Sequence, residues 1–321
     1  AYLIVTNGST LAAGRLRVGG FAFATADINK RPIAPRISID GSEMKMLEYT
    51  HFSSEPHVSA VWRVGGHGVV KTGSEPAVWN GNADVRFEDG SVLEANDAGA
   101  GITLALGAKA KGTMVFASNA VAKLAGFEAE PGSAATLAFD GGRLLLEDGT
   151  AISMPEGCAL RADAGGLVMD IPEGETWTLA SDVAGDGAVK VVGRGTLALS
   201  GTVSASFGGT GTISGGTLAA HAKLCPLVSD AGVASETVCL DGVSFSGRVT
   251  VDLGHDAEHP LNLDSLVGQS VVRYSGAVPD VSKFRIAGVN GGKAYARFSA
   301  EKGEVKIAEI SAFSGLVIMV R

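Results

Sequence analysis

The first residues whose types could do chemistry are Gly66-His67-Gly68, a histidine held in a glycine turn. Glycosidic hydrolysis around such a group needs partner carboxylates, one to protonate the leaving oxygen and one to activate water. The chain has no Asp-Asp pair, so His67 is read as a turn residue without a catalytic role. The densest set of ligand-like side chains is His255-Asp256-Ala257-Glu258-His259-Pro260, with Asp252 nearby. Imidazole and carboxylate together could bind a transition metal. The proline and the charges read instead as a solvated loop, and the spacing is not that of the zinc-binding His-Glu-x-x-His helix. His51 and His57 lie in a similar polar stretch.

Gly209-Thr210-Gly211-Thr212-Ile213-Ser214-Gly215 has the glycines of a phosphate loop but lacks its Lys-Ser/Thr, and no helix follows to offer an N-terminus. Turns of a repeat explain it better. Trp62, Trp79 and Trp177 could be carbohydrate platforms. Trp177 alternates with Leu179, which points to burial, whereas Trp79 beside Asn80-Gly81 is expected to be exposed. No Gly-x-Ser-x-Gly signature marks a nucleophile. Cys225 and Cys239 could pair, leaving Cys158 over, but three buried, inert thiols are the expected state. No catalytic residue, metal or cofactor is expected.

The elements that must position these residues are short strands. The 321 residues are 45% hydrophobic, enough for a sizeable core. Their 45 glycines are about twice the typical ~7%, and aromatics are 6%. Period-two alternation recurs. Val85 and Phe87, Leu144 and Leu146, Val189 and Val191, and Leu197 and Leu199 are predicted to face inward, with polar neighbours outward. Val249, Val251 and Leu253 continue the pattern, as do Val305 and Ile307. Asp-Gly at 40–41, 89–90, 140–141, 148–149, 186–187 and 241–242 supplies left-handed turn geometry. The best helix candidate is the short stretch Ser118 to Phe127.

Sandwich, antiparallel barrel and parallel solenoid all fit this punctuation. Internal repetition favours the solenoid. Gly66 to Gly73 matches Gly185 to Gly193 in type: a glycine turn, a valine-rich strand bearing lysine, and a closing glycine. Such units stack because none can bury its inner face alone. Coils of roughly 20–25 residues are expected.

Gly185-Asp186-Gly187-Ala188-Val189-Lys190-Val191-Val192-Gly193-Arg194-Gly195-Thr196-Leu197-Ala198-Leu199-Ser200-Gly201 resembles the autotransporter-associated β-strand repeat of bacterial passenger domains. Gly215-Gly216-Thr217-Leu218-Ala219 is similar to the repeat's ending, and Asn7-Gly8-Ser9-Thr10-Leu11-Ala12-Ala13-Gly14 resembles a weaker copy. The resemblance implies an all-β chain forming a right-handed parallel β-helix, secreted to the bacterial cell surface and used as a stalk or adhesin. Parallel β-helix polygalacturonases also carry Gly-His-Gly. This chain lacks their Asn-Thr-Asp, and Arg285-Ile286-Ala287 lacks the lysine of their Arg-Ile-Lys. Autotransporters end in a membrane barrel of amphipathic strands of ~10 residues. Nothing here fits one, so a detached passenger, or a repeat protein secreted by another route, is expected.

The expected organisation is a solenoid over 1–224 and a C-terminal β cap or small β-domain over 225–321. The net charge of −8, without a block of like charges, argues against a nucleic-acid surface. No stretch reaches the ~18 apolar residues of a transmembrane helix. No charged segment precedes an apolar one in signal-peptide order, and the start at Ala1 suggests a processed chain or a cloned fragment. The function expected is that of a non-enzymatic extracellular structural protein, a fibre, stalk or layer subunit. The alternatives are an adhesin fragment binding surface glycans or host surface and, after it, a polysaccharide-active enzyme. The expected partner is the chain itself. Tyr2, Leu3, Ile4 and Val5 at one end, and Leu316, Val317, Ile318, Met319 and Val320 at the other, are apolar, β-prone and without clean alternation. Each segment is read as buried on both faces or paired along an open edge, and so as a possible assembly strand.

Overall fold

The computed structural model describes residues 2–17, 36–53, 59–72, 77–79, 81–95, 102–146, 148–154, 156–229, 232–233, 237–254, 258 and 260–312. They fall into two compact units, each built from the parallel rungs of a β-helix. The first comprises 1–170 and 176–187, the second 171–175 and 188–321.

In the first unit, one face stacks Tyr2–Val5, Arg36–Asp40, Ser59–Gly65, Asn82–Phe87, Lys111–Ala117, Ala134–Asp140, Ala159–Ala162 and Val183–Ala184, every neighbour parallel. A second face stacks Thr10–Arg17, Glu43–Ser53, Val69–Thr72, Val92–Ala95, Val121–Ala129 and Gly142–Leu146 in the same sense. Ala77–Trp79 and Ile102–Leu106 extend it between the long strands Glu43–Ser53 and Val121–Ala129. Asn82 sits one rung above Ser59, 23 residues on, within the expected coil length.

In-register stacking turns the alternation into columns. Trp62, Val85, Met114, Leu137, Leu160 and Val183 lie one above another inside. Beside them, Phe87 stacks on Phe116 with ring centroids 4.9 Å apart, and Phe116 on Phe139 at 5.3 Å. Parallel rungs bring identical positions together, so one aromatic recurring once per coil meets its own kind.

The corners between the two faces explain several sequence signals. Gly66-His67, Asp89-Gly90 and Ser118-Asn119 each have two consecutive residues at positive φ. That geometry closes a two-residue turn, which Asn, Asp and Gly tolerate best. The corners also bond to each other, His67 N–H to the Asp89 carbonyl and Gly90 N–H to the Ser118 carbonyl, both at 3.1 Å. Gly-His-Gly is therefore one storey of a corner stack. The expected helix at Ser118 to Phe127 is instead this corner followed by the strand Val121–Ala129. Ala120, Ala122 and Leu124 all point inward, a period of two that residues of good helix propensity concealed.

The second unit has three parallel faces. One stacks Ala188–Gly193, Ser206–Gly209, Lys223–Cys225, Val249–Asp252 and Phe284–Ala287. Another stacks Thr196–Leu199, Thr212–Ser214, Cys239–Asp241 and Ser270–Ser275. The third stacks Thr202–Val203, Thr217–Leu218 and Ser244–Phe245. The stretch resembling the passenger repeat makes the tightest rungs: Thr196 pairs with Thr212 and Thr202 with Thr217, shorter steps than in the first unit. The parallel order then stops. Glu304–Ala312 pairs antiparallel with both Ser270–Ser275 and Ala294–Glu301, a hairpin that closes this unit.

Candidate functional site

The first rung is where the fold leaves something unfinished. Tyr2–Val5 pairs on one side with Arg36–Asp40 and is the terminal strand of its sheet among the described residues. No described strand lies along its other edge, and an uncovered edge of this kind is a surface on which a further strand can add. The strand alternates after all. Val5 turns inward at 6% exposure, while Tyr2 and Ile4 face out at 76% and 67%. Apolar residues on both faces hid the period. Of the two readings of this segment, burial on both faces is excluded.

Around Tyr2 and Ile4 the outer face is hollowed, a groove of about 480 Å³ bordered by Arg36, Ser38, Val61 and Arg63. Large apolar side chains this exposed are the minority here; on Arg36–Asp40 and Ser59–Gly65 the outward positions are polar or glycine apart from a half-buried Val61. The second expected assembly segment, Leu316 to Val320, lies outside the described residues.

Along the second face a charge ladder climbs the outside. Lys71 reaches Glu43 at 3.6 Å and Glu94 at 3.2 Å, and Glu94 reaches Lys123 at 2.5 Å. Burial alone would raise the Glu94 carboxyl, but hydrogen bonds and charge from Lys123 and Lys71 outweigh it and hold it below the ordinary value. Burial alone would lower Lys71, yet Glu94 and Glu43 raise it. A depressed carboxyl stabilises the fold above its unfolded pKa, and the contribution disappears as the pH falls through the folded value. Glu94→Gln is therefore expected to lower unfolding free energy by about 1–3 kcal/mol near pH 7. In urea titrations, that difference should shrink as the pH drops below the ordinary glutamate range. A difference independent of pH would reject the ladder as its source.

The other candidate residues come out as structure. Trp79, expected to be exposed, is fully buried, its indole N–H shared between the Gly81 and Lys111 carbonyls at 3.0 Å each. Trp62 is buried against Phe52, whose carbonyl accepts its N–H, and Trp177 is buried as its alternation with Leu179 implies. None of the three can offer a ring face to a sugar. His67 is exposed at its corner, with its imbidazole beside Gly90. His255, Asp256, His259 and His57 fall outside the described residues. Among the described residues no three His, Cys, Asp or Glu side chains converge as a metal site.

Cys158, Cys225 and Cys239 are free thiols, so Cys225 and Cys239 do not pair. Burial pushes Cys225 up to about 11, with Asp252 adding to it against Lys223 and Lys190, so it stays protonated and unreactive near neutrality. In the Gly209–Gly215 stretch, the Thr210 and Gly211 N–H groups both donate to the Val191 carbonyl. Those donors are spent within the stack, which is why the stretch is no phosphate loop. Compared with known proteins, the chain matches no family model, no curated protein and no solved structure.

Proposed function

We propose that this chain is a non-enzymatic structural protein of the bacterial cell surface, secreted and assembled with copies of itself through its N-terminal rung. The observation that supports this reading is the edge of Tyr2–Val5, which no described strand covers, with Tyr2 and Ile4 exposed beside it. An apolar strand with a free edge costs solubility unless something covers it, and a second copy of the chain supplies backbone groups and apolar surface of the right kind. The stacked corners and in-register columns provide rigidity, which a fibre or layer subunit needs. The extracellular setting rests on the likeness of 185–219 to passenger-domain repeats.

Light scattering and negative-stain microscopy over a concentration series test the proposal. The parent chain is expected to form dimers or longer polymers. Ile4→Asp, which places a charge on the exposed outer side of the edge strand, should leave it monomeric with an unchanged unfolding curve. A parent that stays monomeric at high concentration, or an Ile4→Asp chain that assembles as the parent does, would reject assembly through this rung. Deleting 316–321 then separates the two ends. Loss of polymers on that deletion would assign the incoming strand to the C-terminal segment, and their persistence would assign it to a second N-terminal rung.

A further inference from the structure

A hollow of about 520 Å³ opens on the outside of the second unit, lined by Gly193, Arg194, Thr210, Gly211, Thr212 and Arg273. Its origin is the corner chemistry. Gly193 is held at φ 82°, and a side chain on Gly211 would collide with Val191 at 2.7 Å, so both positions carry no side chain. Two successive bare corners leave a recess, and arginines border it.

Arg273 is fixed in place. It reaches along the stack so that Nε donates to the Thr237 carbonyl and Nη2 to the Thr210 carbonyl, both at 3.0 Å. A guanidinium has five N–H donors, so three remain. Among the described residues no carboxylate pairs with it. Arg194 on the neighbouring corner meets Glu173 at 3.5 Å, with side chains 82% and 75% exposed. Such a surface pair is worth little and is readily exchanged for another anion. Thr210 and Thr212 complete a polar wall. In a chain of net charge −8, this recess concentrates two guanidinium groups.

We propose that this recess binds an oxyanion carried on a small polar body, such as the carboxylate of an acidic sugar or a sulfated or phosphorylated one. Arg273, pre-positioned by its two carbonyls, presents a fork to the oxyanion, and Arg194 swings from Glu173 to close over it. The volume is that of a site for a small molecule rather than a bare ion. Side chains do the holding, since the backbone N–H groups of Thr210 and Gly211 are already used. The site stands whether or not the chain assembles with itself.

The test is titration of the full chain, followed by amide NMR, with glucuronate, acetate, inorganic sulfate and inorganic phosphate against chloride at constant ionic strength. Saturable shifts at Thr210 to Thr212 and at Arg273 are expected, with a dissociation constant on the order of 1 mM. Glucuronate should bind more tightly than acetate, and equal affinity would overturn the extended ligand. Sulfate or phosphate binding more tightly than glucuronate assigns the tetrahedral, ester-borne oxyanion; the reverse assigns the carboxylate. Arg194→Gln should weaken binding at least fivefold with an unchanged unfolding curve. Arg273→Lys keeps the charge but loses the fork, and should weaken it about tenfold. The proposal fails if no shift saturates with any probe, or if Arg194→Gln binds as the parent does. Arg273 would then be only a staple between rungs.

Discussion

Replacing Phe116 with alanine is expected to lower the unfolding free energy by about 3–5 kcal/mol. Phe116 is fully buried between Phe87 and Phe139, with centroids at 4.9 and 5.3 Å. Truncation removes the transfer energy of the ring and leaves a void that the neighbouring rungs cannot close, because their backbones are held by the parallel ladder on both sides. It also removes two ring contacts at once. Phe116→Leu, which keeps most of the volume, should cost well under half as much. Guanidinium denaturation of both variants measures the difference. A loss below about 1 kcal/mol for the alanine would mean that the stack is not a rigid part of the core.

Gly185→Ala carries the other large effect, and Gly201→Ala is its control. The two glycines have nearly equal φ, 97° and 93°. Both alanines therefore bear a similar backbone strain, about 1–3 kcal/mol. They differ in space. A Cβ on Gly201 meets nothing within 4 Å, whereas one on Gly185 runs into the carbonyl of Ala162 on the rung below. Gly185→Ala is expected to cost about 2 kcal/mol more than its control, the typical penalty of forcing atoms into a packed site. Equal losses in the two variants would show that the rung relaxes around the new methyl and that conformation alone selects glycine. The comparison bears on the repeat itself, since Gly185 opens the stretch that resembles the passenger motif.

The inward residues were legible in the sequence. Val85, Phe87, Leu144, Leu146, Val189, Val191, Leu197 and Leu199 are all buried, because alternation in a strand follows from backbone geometry and needs no knowledge of the neighbouring strand. The all-β class followed from the same pattern, and the parallel stack from repetition of a unit that cannot bury its own face. Where side chains of both characters fell on one strand, the pattern was silent. Tyr2 to Val5 carries apolar residues on both faces, so only the position of Arg36–Asp40 shows which pair turns inward.

Tertiary structure alone decided three further matters. Trp79 sits next to a local turn signal, yet half of its indole hydrogen bonding comes from the carbonyl of Lys111, a residue 32 positions away. Asp-Gly and Gly-His turns have the same local geometry whether they close a hairpin or a coil corner, and the choice rests on which strand lies alongside. Arg194 and Arg273 are far apart in sequence, and no local spacing links them. They border one recess because the stack sets their rungs close together and glycine leaves the corners bare. Local chemistry thus determines which face of a strand is apolar and where the chain turns. The juxtaposition of distant rungs, which creates the arginine recess, depends on register, and register is a property of the whole stack.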